Sequence, residues 1–233
     1  MKYALVTGST KGIGLATAEK FVQNGCYVFI NGRGKNPELP LPSEFHCYVR
    51  ADLSTIDGVT KLSDVVLAKT QKLDYLVLSA GATCRKSPAE IEYSDWQMVM
   101  DTNVNMPFFL IQRLWDSIAD GGSIVFISSA MSLKPHAESV PYGVSKAAVN
   151  VLAQSLVKEF APCGIRVNVI CPGFIDTDWQ HEKPPWLREK IKSKIALGRF
   201  GSPGEIADLC YALTQNSYIN GAIVPADGGY DYE

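Results

Sequence analysis

Short apolar runs alternate with longer segments of helical period along the whole chain. Seven runs rich in Val, Ile and aromatic residues predict β-strands buried on both faces, because most of them show little polar alternation. They are Tyr3–Thr7, Tyr27–Ile30, Phe45–Arg50, Tyr75–Leu78, Ser123–Ser128, Arg166–Cys171 and Ala222–Val224. Five segments of helical period lie between them, at Gly12–Asn24, Ile56–Thr70, Ser94–Ile118, Tyr142–Phe160 and Gly204–Gln215. This alternation predicts an α/β fold, with a mostly parallel, doubly wound sheet of seven strands covered by helices on each side.

Two segments break this rhythm. Gly32–Ser43 contains three prolines, which exclude a regular helix, so the connection between the second and third strands is predicted to be a loop. Asp176–Pro185 is irregular and leads into a short amphipathic helix, Trp186–Ala196. We interpret residues 176–198 as a lid over a substrate site. No repeat, linker or change of composition divides the chain, which predicts a single domain over residues 1–233.

Composition excludes several classes of function. The chain has 22 Lys and Arg against 24 Asp and Glu, a net charge of −2 that disfavours nucleic-acid binding. The longest uncharged run, Leu209–Ala226, contains too many polar residues and a proline to span a membrane. The six cysteines are scattered, with only three histidines, so no metal site is expected. Because an apolar strand starts at Tyr3, with no room for a signal peptide before it, we expect a cytoplasmic protein.

A glycine-rich turn follows the first predicted strand. Gly8, Gly12 and Gly14 lead directly into the first helix, where glycine lets the backbone turn sharply and approach a ligand. The start of a helix also offers unpaired N–H groups and a positive dipole to a pyrophosphate. The position, after the first strand of an alternating chain, suits dinucleotide binding. A tight turn that binds nothing is the alternative.

A tyrosine and a lysine lie one helical turn apart near the start of a largely uncharged helix. Tyr142 and Lys146 share a face, and Lys146 is the only charged residue between Glu138 and Lys158. A phenol that exchanges a proton near neutral pH needs its pKa lowered by roughly 3 units, or about 4 kcal/mol, and an adjacent ammonium favours the phenolate. Ser129, at the end of the fifth strand, could hold the same substrate oxygen. Alternatively, Lys146 reaches solvent and Ser129 is an ordinary turn residue.

The order of these motifs resembles the short-chain dehydrogenase/reductase family over essentially the whole chain. The resemblance rests on T-G-x-x-x-G-x-G from Thr7, on a serine followed by Tyr-x-x-x-Lys at Tyr142, and on P-G-x-x-x-T from Pro172. It implies a Rossmann-like fold and a catalytic set that comprises Asn103, Ser129, Tyr142 and Lys146. In this set Asn103 would hold a water that links Lys146 to solvent.

The resemblance also implies a dinucleotide site along the carboxyl edge of the sheet. The residues expected to bind the cofactor are Gly8, Ser9, Thr10, Lys11, Gly12, Ile13, Gly14, Arg33, Asp52, Leu53, Ser79, Ala80, Gly81, Tyr142, Lys146, Pro172, Gly173, Ile175 and Thr177. Asp52 would lie beside the adenine, although an Asp after a strand is also a common turn or cap residue. Ser79 stands where the family usually has asparagine, which removes an amide from the cofactor edge.

The end of the second strand distinguishes the two nicotinamide cofactors. An acidic side chain there would accept from the ribose 2′-hydroxyl and repel a 2′-phosphate, whereas this chain has Asn31-Gly32-Arg33. Arg33 together with Lys11 favours a 2′-phosphate and therefore NADP(H), although each alone could be a solvated surface charge.

The implied reaction is the NADPH-dependent reduction of a carbonyl, of ketone or 3-oxoacyl type, to a secondary alcohol, with Tyr142 as general acid. The substrate would contact Ser129, Met131, Tyr142, Phe174, Trp179 and Trp186. The three residues between Tyr142 and Lys146 argue against an enoyl reductase, which has six there, and the turn at 161–164 lacks the basic residue common in carrier-protein enzymes. Oxidation of a secondary alcohol and a non-catalytic dinucleotide sensor remain alternatives. The family commonly forms homotetramers, so we expect a homo-oligomer, either tetramer or dimer, that binds a small molecule and neither nucleic acid nor membrane.

Overall fold

Seven strands form one parallel sheet in a computed structural model that describes residues 1–35, 37–134 and 139–230. The strands are β1 (Lys2–Val6), β2 (Cys26–Gly32), β3 (His46–Arg50), β4 (Leu73–Leu78), β5 (Ile118–Ile127), β6 (Arg166–Pro172) and β7 (Ile223–Ala226). Their order across the sheet is β3-β2-β1-β4-β5-β6-β7, and each neighbouring pair is parallel. The predicted α/β class and doubly wound topology are therefore confirmed.

Helices cover both faces of the sheet. The α-helices are α1 (Gly12–Gln23), α2 (Ile56–Lys69), α3 (Tyr93–Met100), α4 (Met106–Leu114), α5 (Val140–Phe160), α6 (Asp178–His181), α7 (Pro185–Lys192) and α8 (Pro203–Gln215). Successive side chains of β1 enter different cores, because side chains alternate across a strand. Leu5 packs in the core that contains α2, α4 and α5, whereas Ala4 and Val6 pack in the core that contains α1 and α8. Strands buried on both sides explain the continuous apolar runs.

The prediction of one continuous helix over Ser94–Ile118 is wrong, because the helix is interrupted and ends before Ile118. The chain forms α3, then a π-helical turn at Asp101–Asn105, then α4, and Ile118 is already the first residue of β5. Pro107, in the first turn of α4, has no N–H to donate to the carbonyl four residues earlier, which weakens regular α-helical bonding at this point. The apolar positions on either side still follow helical period, so the sequence pattern conceals the interruption.

The two irregular connections agree with the sequence in part. Between β2 and β3 the described residues contain no α-helix, and a short 3-10 turn at Ser43–Phe45 precedes β3, so the predicted loop is confirmed. Asp176–Pro185 is less irregular than expected, because α6 lies within it. The following helix, α7, spans Pro185–Lys192 and ends four residues before the predicted Ala196. Ile191 of α7 packs with Ile195 and Phe200, which anchors this segment at the carboxyl edge of the sheet.

Arg166 and Asn168 of β6 fix the chain that links α8 to β7. The buried Arg166 guanidinium donates to the carbonyls of Leu213 and Thr214 at 2.7 Å each, at the carboxyl end of α8, where a positive charge is favourable. The Asn168 amide donates to the carbonyl of Ile219 at 2.9 Å. The buried charge of Arg166 is thus stabilised by hydrogen bonds to carbonyls at the end of α8, where an acidic side chain would otherwise be expected.

Strand order reverses between β1 and β4, whose carboxyl ends lie side by side. The connection from β1 leads outward to β2 and β3, whereas the chain returns to β4 on the other side of β1. In open parallel sheets this point leaves a crevice between the loops, which is where ligands bind. No helix in the described part of the chain is long and apolar enough to span a bilayer.

Candidate active site

A cavity of about 670 Å³ lies at the reversal point. This volume falls in the range of about 300–1,000 Å³ that is typical of cofactor and ligand sites. Its walls come from the loops after β1, β2, β3, β4, β5 and β6, from the start of α5 and from α6. The candidate catalytic and dinucleotide-binding motifs therefore face one space, although they are up to 170 residues apart in sequence.

The glycine turn after β1 is shaped for close approach to a ligand. Gly8 and Gly12 have φ values of 61° and 58°, a region that side-chain-bearing residues rarely adopt. A Cβ on Gly14 would lie 2.4 Å from the carbonyl oxygen of Gly8, and a Cβ on Gly8 would lie 2.8 Å from the Cα of Ala80. The start of α1 at Gly12 lines the cavity. A narrow backbone cradle ahead of a helix N-terminus fits the pyrophosphate of a dinucleotide.

Ser9 is placed differently from the sequence prediction. Its side chain is fully buried, donates to the carbonyl of Val6 at 2.5 Å and accepts from the backbone N–H of Asn31 at 3.0 Å. It is not among the described residues that line the cavity, unlike Thr10, Lys11 and Ile13. The buried environment explains this, because the hydroxyl is used to join β1 to β2.

Asn31 supports the same turn from beneath. Its Oδ1 accepts from the N–H of Gly8 at 3.3 Å, and its Nδ2 donates to the carbonyls of Val49 and Ala51 at 3.3 and 3.1 Å. The side chain is only 2% exposed, so it holds β2, β3 and the glycine turn together. Asn31 is therefore occupied by structural bonds, and any discrimination between the two nicotinamide cofactors at the end of β2 depends on the residues that follow it.

Arg33 and Lys11 both line the cavity, at the end expected for the adenine ribose. Arg33 is exposed, whereas Lys11 donates to Asp178 of α6 at 2.9 Å. Asp52 also lines the cavity and is at the same time a turn residue, since its Oδ1 accepts from the N–H of Ser54 at 3.0 Å. The turn role of Asp52 is therefore observed, and its contact with the adenine stays a prediction.

The loops after β4 and β6 form the opposite walls. The backbone N–H groups of Ser79 and Ala80 both donate to the Thr7 hydroxyl at 3.0 Å, which ties the loop after β4 to the end of β1. The cavity lining also includes the remaining predicted cofactor residues, namely Leu53 after β3, Gly81 after β4, Pro172 at the end of β6, and Gly173, Ile175 and Thr177 after it.

Tyr142, Ser129 and Lys146 all line this cavity. Lys146 is 4% exposed, and its ammonium lies 5.6 Å from the centre of the Tyr142 ring and donates to the carbonyl of Ile127 at 2.7 Å. The Ser129 hydroxyl is close enough to the Tyr142 phenol to lower its pKa. The three groups therefore converge as the sequence predicted, and the alternative in which Lys146 reaches solvent is wrong.

The ionisation of the pair differs from the expectation. Burial raises the pKa of the Tyr142 phenol to about 12, against smaller lowering effects of the Ser129 hydrogen bond and the charge of Arg85. Burial also lowers the pKa of the Lys146 ammonium to about 8. Desolvation disfavours the charged form of each group and is the largest effect on both pKa values. Tyr142 is therefore a neutral phenol, the form that donates a proton.

Asn103 lies in the π-helical turn and does not line the cavity. Its Oδ1 accepts from the N–H of Ala82 at 2.8 Å, and its Nδ2 donates to the carbonyl of Ala82 at 2.9 Å and to the Ser145 hydroxyl at 2.8 Å. A Cβ on Gly81 would lie 3.4 Å from Asn103 Oδ1 and 3.6 Å from Lys146 Nζ, so both polar groups approach the same point. The asparagine thus joins the loop after β4 to α5 beside Lys146.

A second, smaller cavity of about 100 Å³ adjoins Tyr142 and Ser129. Met131, Phe174 and Trp179 line it, as predicted for substrate residues, and the Trp179 ring lies 6.0 Å from that of Tyr142. Trp186 does not belong with them, because it lines neither cavity and is 67% exposed at the start of α7. A short helix turns this residue outward, which the sequence pattern does not reveal.

Sequence reasoning missed Arg85 and Gln180, which line both cavities. Arg85 follows β4 closely, and side chains just beyond the carboxyl end of a central parallel strand are the ones expected near a ligand. That position is a signal that could have identified it. No group of three His, Cys, Asp or Glu in the described residues could hold a metal ion.

Comparison with known proteins gives consistent matches over the whole chain. The family model described as enoyl-(acyl carrier protein) reductase matches residues 8–231. A 3-oxoacyl-(acyl-carrier-protein) reductase of Aquifex aeolicus is 33% identical, covering 98% of this chain and 96% of that protein. A short chain dehydrogenase family protein of Francisella tularensis has a TM-score of 0.90 at 28% identity, covering 100% of both chains. The RhlG protein of Pseudomonas aeruginosa, solved as an NADP active-site complex, has a TM-score of 0.88 at 30% identity, covering 98% of this chain and 96% of that one.

Proposed function

The chain belongs to the short-chain dehydrogenase/reductase family, and on this premise we propose that it reduces a ketone to a secondary alcohol with NADPH. One observation carries the proposal: Tyr142, Ser129 and Lys146 meet on the wall of the cavity that also contains the glycine cradle. A proton donor and a dinucleotide cradle in one space are what carbonyl reduction requires.

The residues that line the large cavity fit a dinucleotide. The backbone of the glycine turn would hold the pyrophosphate, Asp52 and Leu53 would flank the adenine, and Ile175 and Thr177 would hold the carboxamide of the nicotinamide ring. When bound, the cofactor supplies the hydride that adds to the carbonyl carbon. Arg33 supports NADPH over NADH because it is an exposed guanidinium at the ribose end, and the solved NADP complex of the Pseudomonas relative agrees with this choice.

Tyr142 is the proposed general acid. Its phenol stays protonated at neutral pH, since burial raises its pKa to about 12, and it would give its proton to the substrate oxygen as that oxygen gains negative charge. Ser129 would hold the same oxygen through its hydroxyl. The buried Lys146 ammonium would stabilise the phenolate that remains, because a positive charge beside a desolvated anion has a strong effect.

Asn103 is proposed as a positioning residue for the return of the proton. Its Oδ1 and the Lys146 ammonium both approach Gly81, which leaves a polar site suited to a bridging water. Such a water would connect Lys146 to solvent and allow Tyr142 to be reprotonated. The bonds of Asn103 to Ala82 and Ser145 fix it at this place.

A ketone suits the site better than an enoyl thioester. Although the matching family model is described as an enoyl reductase, only three residues separate Tyr142 and Lys146, which is the spacing of the carbonyl-reducing branch. The Aquifex relative is named for a carrier-protein substrate. In this chain the turn at 161–164 has no basic residue, and we therefore propose a free small molecule.

Residues 176–198 are the proposed lid, and α5 is the proposed oligomer surface. α6 lines the large cavity and is joined to the glycine turn by the Lys11–Asp178 ion pair. Val140, Val144 and Val151 share one face of α5 and are 43%, 44% and 64% exposed, an apolar stripe that suits contact with a second copy. A homo-oligomer and a cytoplasmic location complete the proposal.

The test is a Tyr142→Phe variant with a matched control, Tyr218→Phe, at a tyrosine that is 99% exposed and far from the cavities. We expect a screen of ketones, aldehydes, quinones and acyl thioesters to identify an activity that Tyr142→Phe lowers at least 100-fold, since general acid catalysis contributes about 10²–10⁴-fold. NADPH should still bind, as followed by fluorescence titration. Unchanged turnover by Tyr142→Phe would refute the assigned role, and a wild type that binds NADPH but reduces no carbonyl would favour the dinucleotide-sensing alternative.

A further inference from the structure

The small cavity beside Tyr142 adjoins the proposed site of reaction. It shares Tyr142 and Ser129 with the large cavity, so a group inside it is continuous with a carbonyl at the phenol. Its volume of about 100 Å³ is well below that of pockets for drug-sized ligands. A substituent that enters this pocket must therefore be short.

Positive charge is the main polar feature of this pocket. Arg85 and Lys183 line it, and none of the described lining residues is Asp or Glu. The Arg85 guanidinium acts on Tyr142 directly, because its charge lowers the pKa of the phenol while burial raises it. No ion pair joins Arg85 to a carboxylate within the described part of the chain. The carboxylates near the opening, Asp178 and Glu182, line the large cavity only.

The remainder of the pocket is apolar. Met131, Phe174 and Trp179 contribute a hydrophobic lining. A guanidinium at the edge of an apolar wall suits a carboxylate on a short hydrocarbon chain, because its planar array of N–H groups matches the two oxygens of a carboxylate. Arg85 is exposed, so water solvates its guanidinium beside a neutral ketone, whereas a carboxylate would replace that water with a charged partner.

We propose that Arg85 determines substrate specificity by binding a carboxylate, and that the enzyme reduces a short-chain oxo acid whose ketone reaches Tyr142 and Ser129. This inference rests on the proposed function and names its substrate class. Reduction leaves the carboxylate unchanged: the ketone carbon gains hydride, its oxygen gains the Tyr142 proton, and NADPH becomes NADP⁺. Arg85 acts on binding of the anion and takes no part in proton transfer.

The experiment compares oxo acids of four to eight carbons, with the ketone at the 2-, 3- or 4-position, with their methyl esters in NADPH oxidation assays. For wild type we expect kcat/KM to be at least 10-fold higher for the best acid than for its ester. Arg85→Gln should reduce this ratio to about 1, mainly by raising KM for the acid. Arg85→Lys should retain part of the ratio, since it keeps a charge without the planar array.

Lys86→Gln is the matched control, because Lys86 is the next residue, pairs with Asp95 at 2.6 Å and lines neither cavity. It should leave the ratio of acid to ester unchanged. Thermal melting and NADPH titration of each variant test folding and cofactor binding. The comparison of acids with their methyl esters in wild type needs no variant.

The outcomes separate this inference from the proposed function. If wild type reduces esters or neutral ketones as well as it reduces the acids, the carboxylate assignment is wrong and the reductase assignment stands. A preference for 3-oxoacyl N-acetylcysteamine thioesters over both acids and esters would also overturn the inference. If no carbonyl compound oxidises NADPH, the proposed function itself fails.

Discussion

Lys146→Met tests the claim that the protein holds a desolvated ammonium beside the phenol. The methionine side chain has a similar length and no charge, so it removes the ionisation while it keeps most of the packing. Lys146 is 4% exposed, and burial lowers its pKa from 10.5 to about 8. Between these two values the unfolded chain binds a proton that the folded chain does not.

The sign of the effect follows from this difference in bound protons. Because the unfolded state binds more protons between pH 8 and pH 10.5, wild type gains stability as the pH rises through this window. At about 1.4 kcal/mol per pKa unit, the shift of Lys146 from 10.5 to about 8 corresponds to about 3 kcal/mol. Below pH 8 the folded protein carries the ammonium, and this stabilising difference is absent.

The assay is urea unfolding of wild type and Lys146→Met at intervals between pH 7 and pH 10.5, under reducing conditions. Other groups titrate in both proteins, so the relevant quantity is the free energy of unfolding of wild type minus that of the variant. We expect this difference to rise by about 3 kcal/mol from pH 8 to pH 10.5. Lys158→Met, at an exposed position of the same helix, should give a difference that does not vary in this way. A Lys146 difference that is equally flat would mean that the ammonium is solvated, and the proposed stabilisation of the phenolate would lose its basis.

Two further predictions concern the cofactor cradle. Gly14→Ala should lower NADPH affinity at least 10-fold in a fluorescence titration, because its Cβ would lie 2.4 Å from a backbone carbonyl oxygen of the turn, whereas Gly34→Ala, with no atom within 4 Å of the added Cβ, should bind normally. Arg33→Ala should weaken NADPH about tenfold and NADH little, while Lys11→Ala should have a smaller effect, since Lys11 is already paired with Asp178 at 2.9 Å. Equal loss of both cofactors would argue against recognition of a 2′-phosphate.

The sheet and the centre of the site could be predicted because their signals are local. Each strand carries its own apolar run, and a parallel sheet needs helices between its strands, so the order of elements follows from the pattern. Tyr142 and Lys146 are one turn apart in one helix, and their shared face follows from helix geometry alone. The proximity of Tyr142 to Ser129 could be predicted as well, because Ser129 follows a strand and the carboxyl ends of parallel strands meet at one edge of the sheet.

The features that could not be predicted depend on contacts between distant segments. The Ser9 hydroxyl is turned inward by Asn31 of the neighbouring strand, and Trp186 is turned outward by a short helix. The raised pKa of Tyr142 depends on how completely the fold excludes water from the phenol, whereas spacing reveals only that a lysine is near. Arg85 lay in a loop without periodicity, where position after β4 was the single signal.

The π-helical turn at Asp101–Asn105 makes the helical segment before β5 intolerant of changes in length. Removing one residue from this turn would restore regular α-helical winding between α3 and α4 and shift the remaining residues of the turn from their present positions. Asn103 would then leave its bonds to Ala82 and Ser145. Insertions and deletions among natural or engineered variants should therefore be accepted in the proline-rich loop at 37–42 and rejected here, although both segments lie on the path between neighbouring strands of the sheet.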